Sequence, residues 1–366
     1  MHLPTVRFSR DTTGFSKTLR ARVEEHFQSA GKSRFADHRM VVKSAVMLLL
    51  YFVPLVFITA GWTGGGWGFW LAAFVMGLGL AGIGLNIMHD ANHGAYSKHK
   101  WVNEVMGRML DVVGGNAALW KIQHNVLHHT FTNIEGLDED IDTPGILRFT
   151  PDRPLKGIHR FQHIYAWLFY AIMSLFWITT KDWISAARYH KTGMLERSGS
   201  NLKKTLGYLI WTKSLHFGYI LALPMWLSGL PWWQILLGWV VMHMVAGLIL
   251  ASIFQPAHVM EEHLFETAEK GSVMPDDPLV HQLKTTANFG TRSRLLTWLS
   301  GGLNHQVEHH LFPNICHVHF RDLAPIVKKT AEEFGLPYHS QTSFYEALRL
   351  HTRMLKQLGQ PQMATN

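Results

Sequence analysis

Five apolar stretches constrain the fold of this chain more than any other feature of its sequence. They are residues 40–60, 67–88, 161–180, 207–230 and 232–254. A helix needs about 20 mostly apolar residues to cross the hydrocarbon core of a bilayer, and each stretch has roughly that length. Since every backbone polar group must be satisfied inside the bilayer, the sequence predicts an all-α integral membrane protein.

Three histidine clusters follow apolar stretches or the segments next to them. They are His89-Asp90-Ala91-Asn92-His93, His124-Asn125-Val126-Leu127-His128-His129 and Asn304-His305-Gln306-Val307-Glu308-His309-His310. Side chains four positions apart lie on one face of a helix, so His89 and His93 can bind one metal ion, and His124 and His128 another. On such a helix His129 points roughly 100° away from His128, towards a neighbouring ion. With His258, the clusters hold too many imidazoles for one ion and enough for two.

A metal site shared by all three clusters limits the number of membrane crossings. Residues 1–39 are rich in lysine and arginine, whereas the turn at 61–66 has neither, which predicts a cytosolic N-terminus. The third cluster reaches the same side only if an even number of crossings separates it from the second. One stretch must therefore stay at the interface, and 161–180, with His163 and Tyr165, is the best candidate. The four predicted transmembrane helices are 40–60, 67–88, 207–230 and 232–254.

The same reasoning divides the chain into three parts. Residues 1–39 are a basic cytosolic leader, in which 15–27 either forms an amphipathic helix on the membrane or is simply solvated. Residues 40–330 form the membrane domain, and residues 331–366 form a cytosolic C-terminal helix and tail. Helical patterns at 320–334 and 344–358 belong to a cytosolic helical cap that holds the metal site.

Composition excludes other classes of protein. Only 16% of the residues are charged, against about 25% in ordinary soluble domains. The pI of about 9.5 would suit a nucleic-acid-binding protein, but the basic residues flank the apolar stretches, so we expect no nucleic-acid partner. Cys316 is the only cysteine, which excludes intramolecular disulfides and Cys-x-x-Cys metal sites.

The order and spacing of the clusters resemble those of membrane fatty acid desaturases. The pattern is His-x-x-x-His, His-x-x-x-His-His and Gln-x-x-His-His, with spans before the first and third boxes. The run 301–313 resembles the third box of the front-end branch, in which glutamine replaces the first histidine. The resemblance covers about residues 40–330. The His-Pro-Gly-Gly motif of a fused cytochrome b5 domain does not occur in the sequence. The resemblance is therefore to the free-standing form of these enzymes.

The resemblance implies a di-iron centre held by the box histidines and one more histidine after the last span. Carried over residue by residue, the iron ligands are His89, His93, His124, His128, His129, His258, His309 and His310. One position stays open, because Gln306 matches the glutamine of the family while His305 has the same relation to His309 as His124 has to His128. Our interpretation is that Gln306, rather than His305, contacts the iron, and that it does so through a bridging water.

Other side chains carry weaker predictions. Five carboxylates could accept the N–H bonds of ligand imidazoles, and they are Asp90, Asp138, Asp140, Asp142 and Glu308. Three side chains are candidates for lining an acyl tunnel and binding substrate, and they are Trp120, Trp298 and Asn304. His216 and His243 lie in predicted spans, where an ionisable group is either functional or bonded to a neighbouring helix.

The resemblance also implies the reaction and its partners. Two iron ions with O2 as co-substrate would supply the oxidant that turns two neighbouring methylenes of an acyl chain into a cis double bond, with water as the other product. The acyl chain would be carried on CoA or on a membrane lipid in the surrounding bilayer. Electrons would come from a separate ferredoxin or cytochrome b5, because no flavin, haem or iron–sulfur motif is present. The N-terminus, C-terminus and active site would face the cytosol, in a bacterial inner membrane rather than the endoplasmic reticulum.

Three other functions remain open on the sequence alone. The same scaffold could hydroxylate or ketolate a lipid, alkane or carotenoid. The first cluster is superficially similar to the His-Glu-x-x-His motif of zinc hydrolases, although Asp90 is the shorter acid. A metal carrier would need neither O2 nor a reductant.

Overall fold

The computed structural model describes residues 6–143, 145–267 and 271–361. It is mostly helical, at 66%, as the sequence predicts. In chain order the helices are α1 Phe15–Ser29, α2 His38–Thr59, α3 Trp67–Asn92, α4 Lys100–Gly107, α5 Met109–Val112, α6 117–131, α7 Gly157–Lys191, α8 Met194–Arg197, α9 202–227, α10 Trp232–His258, α11 Pro278–Thr285, α12 Arg294–Leu299, α13 Gln306–Leu311, α14 Phe320–Glu333 and α15 Phe344–Leu358.

Six short strands in the described part of the chain depart from the all-α prediction. They are β1 Arg7–Phe8, β2 Ile134–Glu135, β3 Glu266–Thr267, β4 Val273–Met274, β5 Ala287–Phe289 and β6 His339–Gln341. They form the parallel pairs β1–β4, β2–β3 and β5–β6. Each strand has only two or three residues, which is too short for an alternating pattern to be visible in the sequence.

The described chain forms two compact units. The first contains residues 37–122 and 168–251, and the second contains 2–36, 123–167 and 252–366, as far as these are described. Three of the unit boundaries fall inside α6, α7 and α10, and the one between residues 36 and 37 precedes α2. These three helices therefore contribute residues to both units.

Four helices of the described chain are long and apolar enough to cross a membrane. They are α2, α3, α7 and α10. The number agrees with the prediction, but one member differs, since α7 includes the stretch 161–180 that was assigned to the interface. The predicted span 207–230 overlaps α9, where Lys213 and His216 interrupt the apolar residues.

Glycines of α3 allow the helices of the first unit to pack closely. A Cβ atom at Gly79 would lie 2.5 Å from the backbone nitrogen of Tyr51 in α2. A Cβ atom at Gly77 would lie 2.7 Å from the carbonyl oxygen of Met242 in α10. Small residues at helix contacts are typical of membrane-embedded bundles, where close packing replaces hydrophobic association.

The buried Lys213 ties α9 to its neighbours in the first unit. Its Nζ atom donates to the carboxylate of Asp182 at 2.8 Å and to the carbonyl oxygens of Ile178 at 2.7 Å and Gly114 at 2.9 Å. The same carboxylate accepts a bond from the Trp177 ring at 3.0 Å. Three acceptors satisfy the three N–H bonds of the ammonium group, so this charge can be buried in a largely apolar unit.

The amphipathic face of α1 is buried in the core of the second unit. Phe15, Leu19, Val23 and Phe27 pack in one cluster with residues of α11, α13 and α14. The alternatives of a membrane-surface helix or a solvated leader are therefore wrong for this segment, because its apolar stripe is already covered by protein. The predicted helices at 320–334 and 344–358 appear as α14 and α15.

Candidate metal centre

The second histidine cluster lies on α6, which has π-helical geometry at Lys121–His128. A π-turn bonds residues five apart, so His124 and His129 come onto one side of the helix. Their Nε2 atoms are 3.3 Å apart, and the rings of His124 and His128 stack at 5.1 Å. The π-turn thus brings His129 close to His124, while the metal-capable group of His129 is with His309 and His310 and not with its neighbour His128.

Two carboxylates lie behind this cluster. Asp138 is 3.0 and 3.1 Å from Nδ1 of His128 through its two oxygens, and Asp140 is 3.4 Å from Nδ1 of His124. Nδ1–H bonds of this kind leave Nε2 as the atom with a lone pair. The backbone N–H of Asn133, in the left-handed region at φ 58°, donates to Asp138 at 2.9 Å and holds the loop.

These carboxylates also affect the protonation of the ligands. Burial lowers the pKa of His124. Burial alone would also lower the pKa of His128, but Asp138 and Asp140 raise it, and the net shift is upward. A metal ion must displace the proton of a ligand imidazole, so metal binding at His128 depends on pH. Asp142 was also predicted to accept an N–H bond from a ligand imidazole, but its carboxylate pairs with Arg153.

The third cluster and His258 meet the second cluster within the second unit. Two of the groups that could hold an ion, each with ligand atoms within 4.8 Å of one another, contain His310. One consists of His128, His258 and His310, and the other of His129, His309 and His310. The ring of His310 is 4.9 Å from that of His128 and 4.2 Å from that of His129. His310 thus belongs to both groups.

The structure places Gln306 and His305 differently. The amide nitrogen of Gln306 is 2.8 Å from Nε2 of His258. His305 is equally buried, but its Nδ1 is 3.6 Å from Glu308, and it belongs to none of the metal-capable groups found among the described residues. Gln306 thus lies beside His258, whereas His305 lies beside Glu308.

Glu308 takes part in a buried network that supports α13. Its carboxylate accepts bonds from Asn288 at 2.8 Å and from the Tyr338 hydroxyl at 2.9 Å. Asn288 also accepts the backbone N–H of Val307 at 2.9 Å. Burial first, and then Glu308, raise the pKa of Tyr338, so this phenol stays protonated and donates. The β5–β6 pair brings these segments together, and nothing in the sequence pattern pointed to Asn288 or Tyr338.

Gln282 of α11 is the other residue that sequence reasoning missed. Its Oε1 is 2.8 Å from Nδ1 of His310, and its amide nitrogen donates to the carbonyl oxygen of His129 at 2.9 Å. A glutamine on a short helix matches no motif, and its role depends on tertiary contacts. The sequence therefore offered no signal for it.

In the first unit, His89 and His93 lie at the end of α3. Their rings are 4.9 Å apart, as four-residue spacing on a helix predicts. Trp120, a predicted substrate residue, lies beside them, with ring centroids 5.6 and 5.8 Å away. His216 is hydrogen-bonded to the carbonyl oxygen of Val112 at 3.0 Å, which favours a helix-bonding role.

The two remaining substrate candidates belong to the second unit. Trp298 is half-buried on α12. Asn304 is fully buried, donates to Thr297 at 3.0 Å and accepts from Ser300 at 3.2 Å. These bonds hold α12 against the segment before the third cluster, so in this structure the Asn304 side chain is occupied by protein contacts.

The donor atoms of the second unit fit metal ions. Several buried polar atoms lack a hydrogen-bond partner among the described residues, and Nε2 of His128, Nδ1 of His258 and Oε1 of Gln306 are among them. An unsatisfied buried polar atom is costly unless a ligand or water completes it. Imidazole suits iron, zinc and copper, and acceptors behind the rings are typical of metal sites. The arrangement could therefore hold metal ions.

Comparison with known proteins identifies similar chains. A family model described as fatty acid desaturase matches residues 65–342. The chain is 34% identical to the sn-1 linoleoyl-lipid 6-desaturase of Synechocystis sp., over 94% of this chain and 96% of the relative. It is 32% identical to the enzyme of the same name from Arthrospira platensis, over 94% and 93%. An acyl-lipid (8-3)-desaturase of Physcomitrium patens is 34% identical over 94% of this chain and 72% of the relative.

Proposed function

This chain belongs to the fatty acid desaturase family, and on that premise we propose that it is a di-iron, O2-dependent desaturase of acyl chains carried on membrane lipids. The observation that carries the proposal is the group of buried imidazoles around His310 in the second unit. Relatives named as lipid desaturases support an acyl-lipid substrate over acyl-CoA. The Gln306 position supports a front-end enzyme.

The iron ligands of this proposal are the box histidines and His258. In the second unit they are His124, His128, His129, His258, His309 and His310, with Gln306 beside them. His89 and His93 are assigned to the same centre by the family pattern of the sequence. Trp120, Trp298 and Asn304 remain proposals for the acyl-binding surface, with Trp120 favoured by its position beside two box histidines.

When bound, the two irons supply with O2 the oxidising power that removal of hydrogen from unactivated methylenes requires. The residues of this chain orient the site. Asp138 accepts the Nδ1–H bond of His128 and Asp140 that of His124, which leaves Nε2 of each ring as the atom that would hold a metal. Packing around α13 holds His309 and His310 in fixed positions, which is what a reaction at one pair of carbons needs.

We further propose that electrons come from a ferredoxin or cytochrome b5. The protein carries an excess of basic residues, and positive charge would attract an acidic donor. The proposed location is a bacterial inner membrane with both termini and the active site in the cytosol.

The test is lipid analysis of a host that expresses the full chain. Fatty acids of defined unsaturation are fed, and the products are analysed by gas chromatography and mass spectrometry. We expect a new cis double bond in lipid-bound acyl chains, and no product from His128→Ala or His310→Ala. A hydroxylated product without a new double bond would favour the hydroxylase alternative. Zinc without iron in freshly purified protein, together with hydrolysis of lipid esters, would favour the hydrolase.

A further inference from the structure

Gln282 contacts two of the predicted iron-ligand histidines through one amide group. The amide nitrogen donates to the backbone carbonyl oxygen of His129 at 2.9 Å. The amide oxygen is 2.8 Å from Nδ1 of His310 and accepts a bond from the Thr132 hydroxyl at 2.9 Å. The side chain is buried, with 4% of its surface exposed. Its position thus joins the second box to the third.

These contacts determine how the amide and the imidazole are oriented. The carbonyl of His129 can only accept, so it fixes the amide nitrogen of Gln282 on its own side. The amide oxygen must then face His310, and an oxygen in that position requires a proton on Nδ1. The lone pair of the His310 ring is therefore on Nε2, the atom available to a metal.

The helix that carries Gln282 is itself well fixed. Asp277 caps α11 by accepting the backbone N–H of Leu279 at 3.0 Å, and it also accepts the hydroxyl of Ser16 at 2.5 Å. The residue before Gln282, His281, is 2.8 Å from the carbonyl oxygen of Thr132 through its Nε2 atom. Two consecutive residues of α11 therefore hold the end of the second box.

We propose that Gln282 is a positioning residue of the metal centre, which sets the tautomer of His310 and fixes its distance from His129. This inference rests on the proposed di-iron function. Since His310 belongs to both metal-capable groups described above, one amide controls a ligand common to both. The sequence pattern of the boxes contains no residue for this task, and Gln282 fills it from outside them.

The test measures Co(II) binding to the full-length protein stripped of metal, by the visible absorption of the bound ion. Gln282→Met removes both bonds to the boxes, and we expect affinity about 10- to 100-fold weaker than wild type, the usual effect of losing such a partner. Gln282→Glu restores an oxygen acceptor for His310 and should recover part of the loss. A Gln282→Glu protein no better than Gln282→Met would overturn the assigned tautomer.

Gln162→Met is the matched control. Gln162 is a buried glutamine of the same unit that bonds to the backbone of Arg148 and Leu355 and contacts no box histidine. The Gln162→Met substitution should lower the melting temperature and leave the Co(II) affinity unchanged. Equal loss of affinity in both glutamine variants, or wild-type affinity in Gln282→Met, would overturn the proposal.

A shorter amide keeps the test decisive if Gln282→Met does not fold. Gln282→Asn cannot reach both partners, so weaker Co(II) binding supports the inference and wild-type binding contradicts it. The lipid assay separates this inference from the proposed reaction. A wild-type protein that binds metal tightly but makes no double bond would contradict the reaction alone, whereas unchanged affinity in the Gln282 variants would contradict the positioning role alone.

Discussion

Asp138→Asn should weaken iron binding by removing the carboxylate behind His128. Both oxygens of Asp138 lie within 3.1 Å of Nδ1 of His128. Each oxygen also accepts one backbone N–H at 2.9 Å, from Asp140 and from Asn133. Asparagine offers a single oxygen, so one backbone N–H must face an amide NH2 group and loses its acceptor.

The size of the effect follows from these bonds. A hydrogen bond to a charged group contributes about 1.5–3 kcal/mol, and a neutral one about 0.5–1.5 kcal/mol. Replacing the charged acceptor therefore costs about 1–2 kcal/mol in the orientation of His128, which is about a 5- to 30-fold loss in affinity.

The assay is a titration of Fe(II) between the purified full-length protein and a coloured chelator, without oxygen. Asp142→Asn is the control, since Asp142 belongs to the same acidic segment but pairs with Arg153. The reasoning is refuted if Asp138→Asn binds iron as tightly as wild type. It is also refuted if Asp142→Asn loses as much affinity.

Two other predictions concern residues with contrasting environments. Lys213→Met leaves Asp182 buried without its cation and should destabilise the protein by about 3–5 kcal/mol. The Lys213→Met/Asp182→Asn double variant should regain part of the lost stability. Both effects are measured by thermal unfolding in detergent. A single variant with unchanged melting temperature would contradict that account. Gln306→Ala should reduce the amount of bound iron measured by elemental analysis, and His305→Ala should leave that amount near the wild-type value. A larger loss of iron in His305→Ala than in Gln306→Ala would show that the geometry around His258 misidentifies the ligand.

Much of the fold could be predicted because long apolar stretches and helical periodicity are local signals. The helices at α2, α3 and α10 follow directly from runs of apolar residues. The choice between α7 and α9 could not be made in this way. His163 and Tyr165 led the prediction to place 161–180 at the interface, although α7 as a whole is long and apolar enough to cross a membrane. The acceptors that allow Lys213 of α9 to be buried come from residues distant in sequence.

The candidate site was predictable where spacing alone determines which side chains share a face. His89 and His93 meet as a regular helix requires, but His124 and His129 meet only because α6 has π-helical geometry, which no residue pattern reported. Gln282 and Tyr338 could not be found, because their roles come from tertiary contacts. Asp138 was foreseen from chemistry, since a ligand imidazole needs an acceptor for its second nitrogen.

The charge of the proposed di-iron centre would account for the carboxylates that lie behind the imidazoles. A neutral imidazole adds no charge to a bound metal ion, so a buried pair of dications would remain uncompensated by its own ligands. Soluble di-iron bundles solve this with carboxylate ligands. In this chain Asp138 and Asp140 supply negative charge within 3.4 Å of the Nδ1 atoms of His128 and His124. The carboxylates therefore orient the rings and balance charge at the same time, whereas the uncharged amide of Gln282 can only orient its ring.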